Sequence, residues 1–178
     1  MLARGDDAPA LVGQPVFGLP FDLSQARQRG AVLVAFWSAL SNASTLRNLE
    51  ALTRLWPRVD LEAGGIVAVT RSPLEAARDF VPRHHVLFPV IVDDTGREFA
   101  AWGVHAASGF SAALVRARPE PVRRALSVLR NGQTLPEAHP EQRPAAFVVN
   151  AEGKVTSAWY GAGVGAVLDA EELWGTPA

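Results

Sequence analysis

Two serines, Ser41 and Ser44, stand where the chain could do chemistry. They lie in the stretch "FWSALSNASTL", residues 36–46, between an apolar run and a helical pattern. Serine, asparagine and threonine favour the first position of a helix, so simple capping is one role for this stretch. A pocket that binds a small anion or a peptide at the free N–H groups of the helix is a second role. A nucleophilic serine is the third, but it needs a positioned base, and no histidine lies nearby in the sequence.

Other residue types that carry chemistry give weaker patterns. His84 and His85 are adjacent, so they cannot share one helix face. The nearest acids, Asp93 and Asp94, follow the next strand, so no metal site is predicted. The histidines of the chain are His84, His85, His105 and His139.

A Gly-x-Gly-x-Gly pattern, "GAGVGAV" at residues 161–167, also fails as a cofactor site. A dinucleotide site needs a further helix, a strand and an acid about 20 residues on, and too little chain remains for them. We therefore expect no cofactor and interpret these glycines as a loop before the last helix.

Composition narrows the function classes. The 178 residues fit one domain, residues 1–178, and 48% hydrophobic with 20% charged residues is typical of a globular protein. A net charge of −1 argues against a general affinity for nucleic acid or acidic membranes. The longest apolar run is too short to span a bilayer, and the N-terminus lacks the apolar core of a signal peptide, so a cytoplasmic location is the default expectation.

Strand patterns alternate with helix patterns along the chain, which predicts a largely parallel α/β sheet. Residues 31–37 ("AVLVAFW"), 64–70 and 88–96 are predicted strands. A helix after the first strand is expected to end at Pro57, and the next helix to begin with Ser72 as cap and Pro73 at its first position.

The second half of the chain departs from that alternation. The segment 105–143 contains a helical pattern with arginines off its apolar stripe, which indicates an exposed basic face or a docking surface for an acidic partner. Two strands, residues 145–150 and 154–161, then form a predicted hairpin, and a short helix near "DAEELW" ends the chain. The arginines of this predicted basic face are Arg116, Arg118, Arg123, Arg124 and Arg130.

Four short motifs in this order resemble the peroxiredoxin-like (AhpC/TSA) branch of the thioredoxin-fold superfamily. "GDDAPA" is similar to the opening "GdxAPdF" of that family, and "AVLVAFWSALSNAS" to its "vvLvFWAxWCxxC" strand and turn. "FPVIVDDTGREFAAWGV" and "RPAAFVVNAEGKV" resemble two later family motifs. The resemblance implies a thioredoxin-like fold, a central mixed sheet flanked by helices, with residues 105–143 as an extra helical insertion before the hairpin.

The resemblance assigns positions residue by residue. It places Ser41 and Ser44 at the two cysteines of the family redox motif and Pro144 at the family's cis-proline, which packs beside that motif. Trp37 matches the aromatic residue that ends the strand. With Asn42 and Arg143, Trp37 and Pro144 form the expected binding set around the turn.

The departures from the family bear on function. The chain has no cysteine, and thiol exchange and peroxide reduction by the family's route both need a thiol. The family's peroxide-assisting arginine position is held by Pro144, one residue after Arg143. We therefore expect a redox-silent binding or interaction module, with a protein partner or a second copy of the chain. Non-thiol chemistry at Ser41 and Ser44, or a cysteine-to-serine form of an active antioxidant enzyme, remain the alternatives.

Overall fold

The apolar run after Gly30 forms the central strand of the molecule, β3, Val32–Trp37, and all of its residues are buried. A strand that is buried on both faces reads as a continuous apolar run, which is why this segment lacks polar alternation. In the computed structural model, the described residues are 1–62, 64–106 and 142–175. Most of the predicted insertion 105–143, including the predicted arginine-bearing helix and His139, lies outside them.

The described residues form further strands and short or long helices before and after β3. A single turn of 3-10 helix, Arg27–Arg29, leads into β3. In chain order the elements are β1 Val12–Gly13, β2 Phe21–Asp22, α1 Leu23–Ala26, β3, α2 Ala43–Glu62, β4 Gly65–Thr70, α3 Leu74–Arg83, β5 Val90–Val92, α4 Arg97–Ala101, β6 Ala145–Val149, β7 Val155–Tyr160 and α5 Ala170–Gly175.

The five longer strands form one mixed sheet in the order β5-β4-β3-β6-β7. Strand β3 runs parallel to β4, with Trp37 opposite Thr70, and antiparallel to β6, with Phe36 opposite Ala145. Strands β6 and β7 form the predicted hairpin. The carboxyl ends of β3 and β4 therefore meet the amino end of β6 at one edge, where the loops can build a site.

Successive side chains of the strands point to opposite faces of the sheet and form two separate hydrophobic cores. One face packs against α2, α3 and α5 through residues such as Leu52, Phe80 and Leu173. The opposite face packs against α4 and the N-terminal segment, and its centre is the ring of Phe36. That ring lies 4.9 Å from Phe99, 5.5 Å from Trp102 and 5.9 Å from Phe147, measured between ring centroids.

Two helix boundaries differ from the sequence-based predictions. Pro57 does not end α2, which continues to Glu62 with Pro57 inside it. Proline removes one backbone hydrogen bond, but Val59 beyond it is fully buried, and that packing keeps the helix in place. Helix α3 begins at Leu74 with Pro73 as its cap residue, one residue later than predicted.

The N-terminal segment contains structure that the sequence patterns did not predict. Strands β1 and β2 pair with each other, and between them Pro15 bridges Ile91 while the Val16 amide donates to the Val90 carbonyl at 2.7 Å. The segment therefore covers the β5 edge of the sheet, and edge strands with unpaired backbone groups are commonly covered in this way. No helix among the described residues is long and apolar enough to cross a membrane.

The aromatic centre of the second core gives a stability prediction. Phe36→Ala should lower the free energy of unfolding by about 3–5 kcal/mol, because it removes a fully buried ring and leaves a cavity. The matched control is Phe17→Ala, since Phe17 is 55% exposed and its loss should change stability by less than about 0.5 kcal/mol. Urea denaturation of both variants measures the difference, and equal effects would contradict this account of the core.

Candidate functional site

The site begins where β3 ends. Trp37 is 1% exposed and packs between Phe80 and Phe88, each with its ring centroid 6.0 Å from that of Trp37. The chain then turns through Ser38, Ala39 and Leu40, all buried, before α2 starts at Ala43. Trp37 thus belongs to the core beneath the turn.

Polar side chains at the start of α2 hold this turn together. The Thr45 hydroxyl donates to the Ala39 carbonyl at 2.8 Å, and its oxygen lies 3.2 Å from the Ser38 hydroxyl. Asn42, directly before the helix, donates its side-chain amide to the Ser38 hydroxyl oxygen at 3.3 Å. Ser38 and Thr45 are almost completely buried, so these bonds are shielded from water and fix the geometry of the turn.

Ser72 supports the turn from the neighbouring strand. Its hydroxyl oxygen accepts a hydrogen bond from the Leu40 amide at 3.1 Å, and its own amide donates to the Thr70 hydroxyl at 3.2 Å. The sequence predicted Ser72 as the cap of α3. The structure directs its hydroxyl to the turn instead, because a buried amide such as that of Leu40 needs a hydrogen-bond partner.

Ser44 and Asn48 attach the loop 161–168 to α2. The Ser44 hydroxyl donates to the Val164 carbonyl at 2.8 Å. Asn48 accepts from the Leu168 amide at 2.8 Å and donates to the Ala166 carbonyl at 3.4 Å. The two side chains are one turn apart and share a helix face, so together they hold the loop along the helix.

Glycine allows the loop to approach closely. A Cβ atom on Gly161 would lie 2.8 Å from the Ala166 Cβ and 2.9 Å from the Pro144 Cγ, distances that real side chains do not tolerate. The Gly161 amide donates to the Pro144 carbonyl at 2.9 Å and extends the β6–β7 ladder. The "GAGVGAV" stretch therefore forms a loop, as predicted, and it lies against both Pro144 and the start of α2.

The two residues before β6 complete the edge of the sheet. Extending the β3–β6 register from Phe36 and Ala145 places Pro144 opposite Trp37 and Arg143 opposite Ser38. Pro144 is buried and Arg143 is half-buried. The peptide bond before Pro144 is trans, since the described residues contain no cis peptide bond, although the resemblance matches this residue to the family's cis-proline. The trans form is the more stable one even before proline.

The arrangement is unsuited to nucleophilic catalysis by Ser44. Its proton is donated to a backbone carbonyl, which cannot accept it as a base, and the residue is 6% exposed. Ser41 is half-buried and also has an interaction partner. Of the predicted binding set, Asn42 contacts the turn, Trp37 lies in the core beneath it, and Arg143 and Pro144 lie beside it by register. The binding role of these four residues stays a prediction.

One described histidine, His84, lies at the carboxyl end of the helix that follows β4. His84 caps the carboxyl end of α3 and packs on Phe80, with ring centroids 4.4 Å apart. Burial, and then the positive charge of Arg83, lower the pKa of His84 below its usual value. No group of three or more His, Asp or Glu residues in the described ranges could hold a metal ion.

Sequence reasoning missed Ser38, Thr45, Asn48 and Ser72 as parts of the site. Asn48 could have been found from the sequence, because it stands between apolar positions of α2. The structure buries it, with 2% of its surface exposed. Buried polar side chains are expected to have hydrogen-bond partners, so a polar residue in an apolar stripe indicates a specific contact. The partner of Asn48 lies about 120 residues away in the sequence, which no local pattern reveals.

The attached loop gives a second prediction. Ser44→Ala should lower the free energy of unfolding by about 1 kcal/mol, because the Val164 carbonyl loses its donor. Ser157→Ala is the matched control, since the buried Ser157 hydroxyl has no hydrogen-bond partner and its removal should leave stability unchanged or raise it. Urea denaturation measures both, and a more destabilising Ser157→Ala would contradict the assignment.

Comparisons with solved structures agree with this fold. Peroxidoxin BcpB from Mycobacterium tuberculosis is 17% identical, with a TM-score of 0.69 over 99% of this chain and 96% of that one. Peroxiredoxin Q from Xanthomonas campestris is 15% identical, with a TM-score of 0.63 over 93% and 85% of the two chains. A cysteine-to-serine mutant of PrxQ from Xylella fastidiosa is 11% identical, with a TM-score of 0.65 over 98% and 92%.

At such low identities the structural likeness shows a thioredoxin-like fold and nothing about activity. No curated protein matches the chain. The model of the AhpC/TSA family, however, matches residues 4–158, which include the turn, the central strand and most of the hairpin. On that match, the chain belongs to the AhpC/TSA family.

Proposed function

We propose that this AhpC/TSA protein is redox-silent and acts as a binding or interaction module. The observation that supports the proposal most directly is the hydrogen bond from Ser44 to the Val164 carbonyl. Ser44 stands at the second position of the family redox motif, and its side chain there holds a loop. A hydroxyl whose proton is held by a backbone carbonyl in this way is not available for chemistry.

The chemistry of sulfur explains why the replacement matters. Disulfide exchange proceeds by attack of a thiolate on a disulfide sulfur, and peroxide reduction in this family forms a sulfenic acid on cysteine. The chain contains no cysteine in any of its 178 residues. A serine hydroxyl is far less acidic than a thiol and forms neither intermediate.

The binding role is supported by what surrounds the turn. The amino end of α2 carries backbone N–H groups, and half-buried Ser41 and Asn42 lie beside them. Arg143 stands opposite Ser38 by register and supplies positive charge. A small anion or an acidic peptide is the ligand that this environment favours. A protein partner or a second copy of the chain could present such a group.

Activity assays on the purified, tag-free chain test the redox half of the proposal. We expect no peroxide consumption with dithiothreitol as reductant and no reduction of insulin disulfides, because both reactions require a thiol on the protein. Turnover that rises in proportion to the concentration of the chain would overturn the proposal.

The control for these assays is the double variant Ser41→Cys/Ser44→Cys. It restores the Cys-x-x-Cys spacing at a helix N-terminus, where the pKa of a thiol is lowered. Activity gained by the variant would show that the silence of the native chain comes from the missing sulfur alone. An inactive variant with measured free thiols would show that the surroundings of the turn also prevent catalysis.

A further inference from the structure

Two arginines flank the carboxyl end of β3. Arg71 directly follows β4, and extending the parallel register from Trp37 and Thr70 places it beside Ser38. Arg143 lies on the other side of Ser38 by the antiparallel register of β3 and β6. Neighbouring strands are about 4.8 Å apart, so the Cα atoms of the two arginines are about 10 Å apart, within reach of two long side chains.

Both arginines belong to the face of the sheet that packs against α4. A Cβ atom on Gly96, directly before α4, would lie 2.9 Å from the Arg71 Cζ, so the guanidinium group rests on that glycine. Arg143 is two residues before Ala145, whose side chain is in the second core, and alternation along the strand assigns Arg143 to the same face. The two side chains therefore approach one region.

Neither guanidinium group is satisfied by the described part of the protein. The Nε atoms of Arg71 and Arg143 are both buried and have no hydrogen-bond partner. Asp93 is the buried acid of the adjacent turn, but its carboxylate already accepts from the amides of Arg97, Glu98 and Phe99. A buried donor without a partner costs free energy, and in folded proteins it commonly marks an absent water or ion.

We propose that Arg71 and Arg143 bind a small oxyanion, a carboxylate or a phosphate group, at the carboxyl end of β3. The planar guanidinium group presents parallel N–H donors that match two oxygens of such an anion. Two arginines that share one anion satisfy both buried Nε donors and neutralise part of their charge. This inference rests on the proposed binding function and assigns its ligand class.

Calorimetric titration of the full chain tests the inference. Inorganic phosphate and acetate are used as separate probes, at constant ionic strength set with chloride. We expect at least one probe to bind with a dissociation constant below about 10 mM. Arg71→Gln and Arg143→Gln should each weaken binding at least about tenfold, because each removes a charge-assisted hydrogen bond. The control Arg78→Gln changes an exposed arginine paired with Glu75 and should leave binding unchanged.

A second measurement avoids the variants, in case they fail to fold. Phenylglyoxal modifies arginine side chains, and peptide mass spectrometry gives the extent at each site. The probe that binds should protect Arg71 and Arg143 in the native chain at least about threefold more than Arg78, because bidentate binding covers the guanidinium group.

Absence of binding for both probes would overturn the inference. Binding that survives both substitutions, or protection no greater than that of Arg78, would overturn it as well. These failures leave the redox-silent proposal intact, which only thiol-dependent turnover by the native chain would contradict.

Discussion

The pairing of β3 on both sides is the constraint on which the rest of the structure depends. This strand is buried on both faces, parallel to β4 and antiparallel to β6. A mixed arrangement of this kind brings two carboxyl ends and one amino end of neighbouring strands to the same edge. By the strand register, Ser38, Arg71 and Arg143 lie side by side at this edge.

The thioredoxin-like scaffold is therefore kept, and polar side chains near the carboxyl end of β3 connect its elements. Ser44 and Asn48 hold the loop 161–168 against α2, and Ser72 holds the turn from the next strand. Each such hydrogen bond contributes about 1 kcal/mol, a sizeable share of the net stability of a domain. This cysteine-free chain thus has a polar network that rigidifies the same edge.

The sequence predicted the parts of the fold that leave periodic patterns. The apolar run of β3, the stripe Leu49, Leu52 and Leu55 on α2, and the hairpin of β6 and β7 all appear as expected. Contacts between distant segments could not be predicted from the sequence, since Ser72 and Asn48 bind partners that no local spacing indicates. The prediction that α2 ends at Pro57 was also wrong, because tertiary packing stabilises the helix beyond this proline.

Amide hydrogen exchange at Leu168 tests the central claim, that a loop beside the site edge is held on α2. The Leu168 amide donates to the buried Asn48 side chain, so we expect slow exchange in the native chain and much faster exchange in Asn48→Ala. The amide of Glu172 in α5 donates to the exposed side chain of Asp169, directly before that helix. It serves as the internal reference and should not change between the two proteins. Exchange of the native Leu168 amide at the rate of an unstructured peptide would contradict the account.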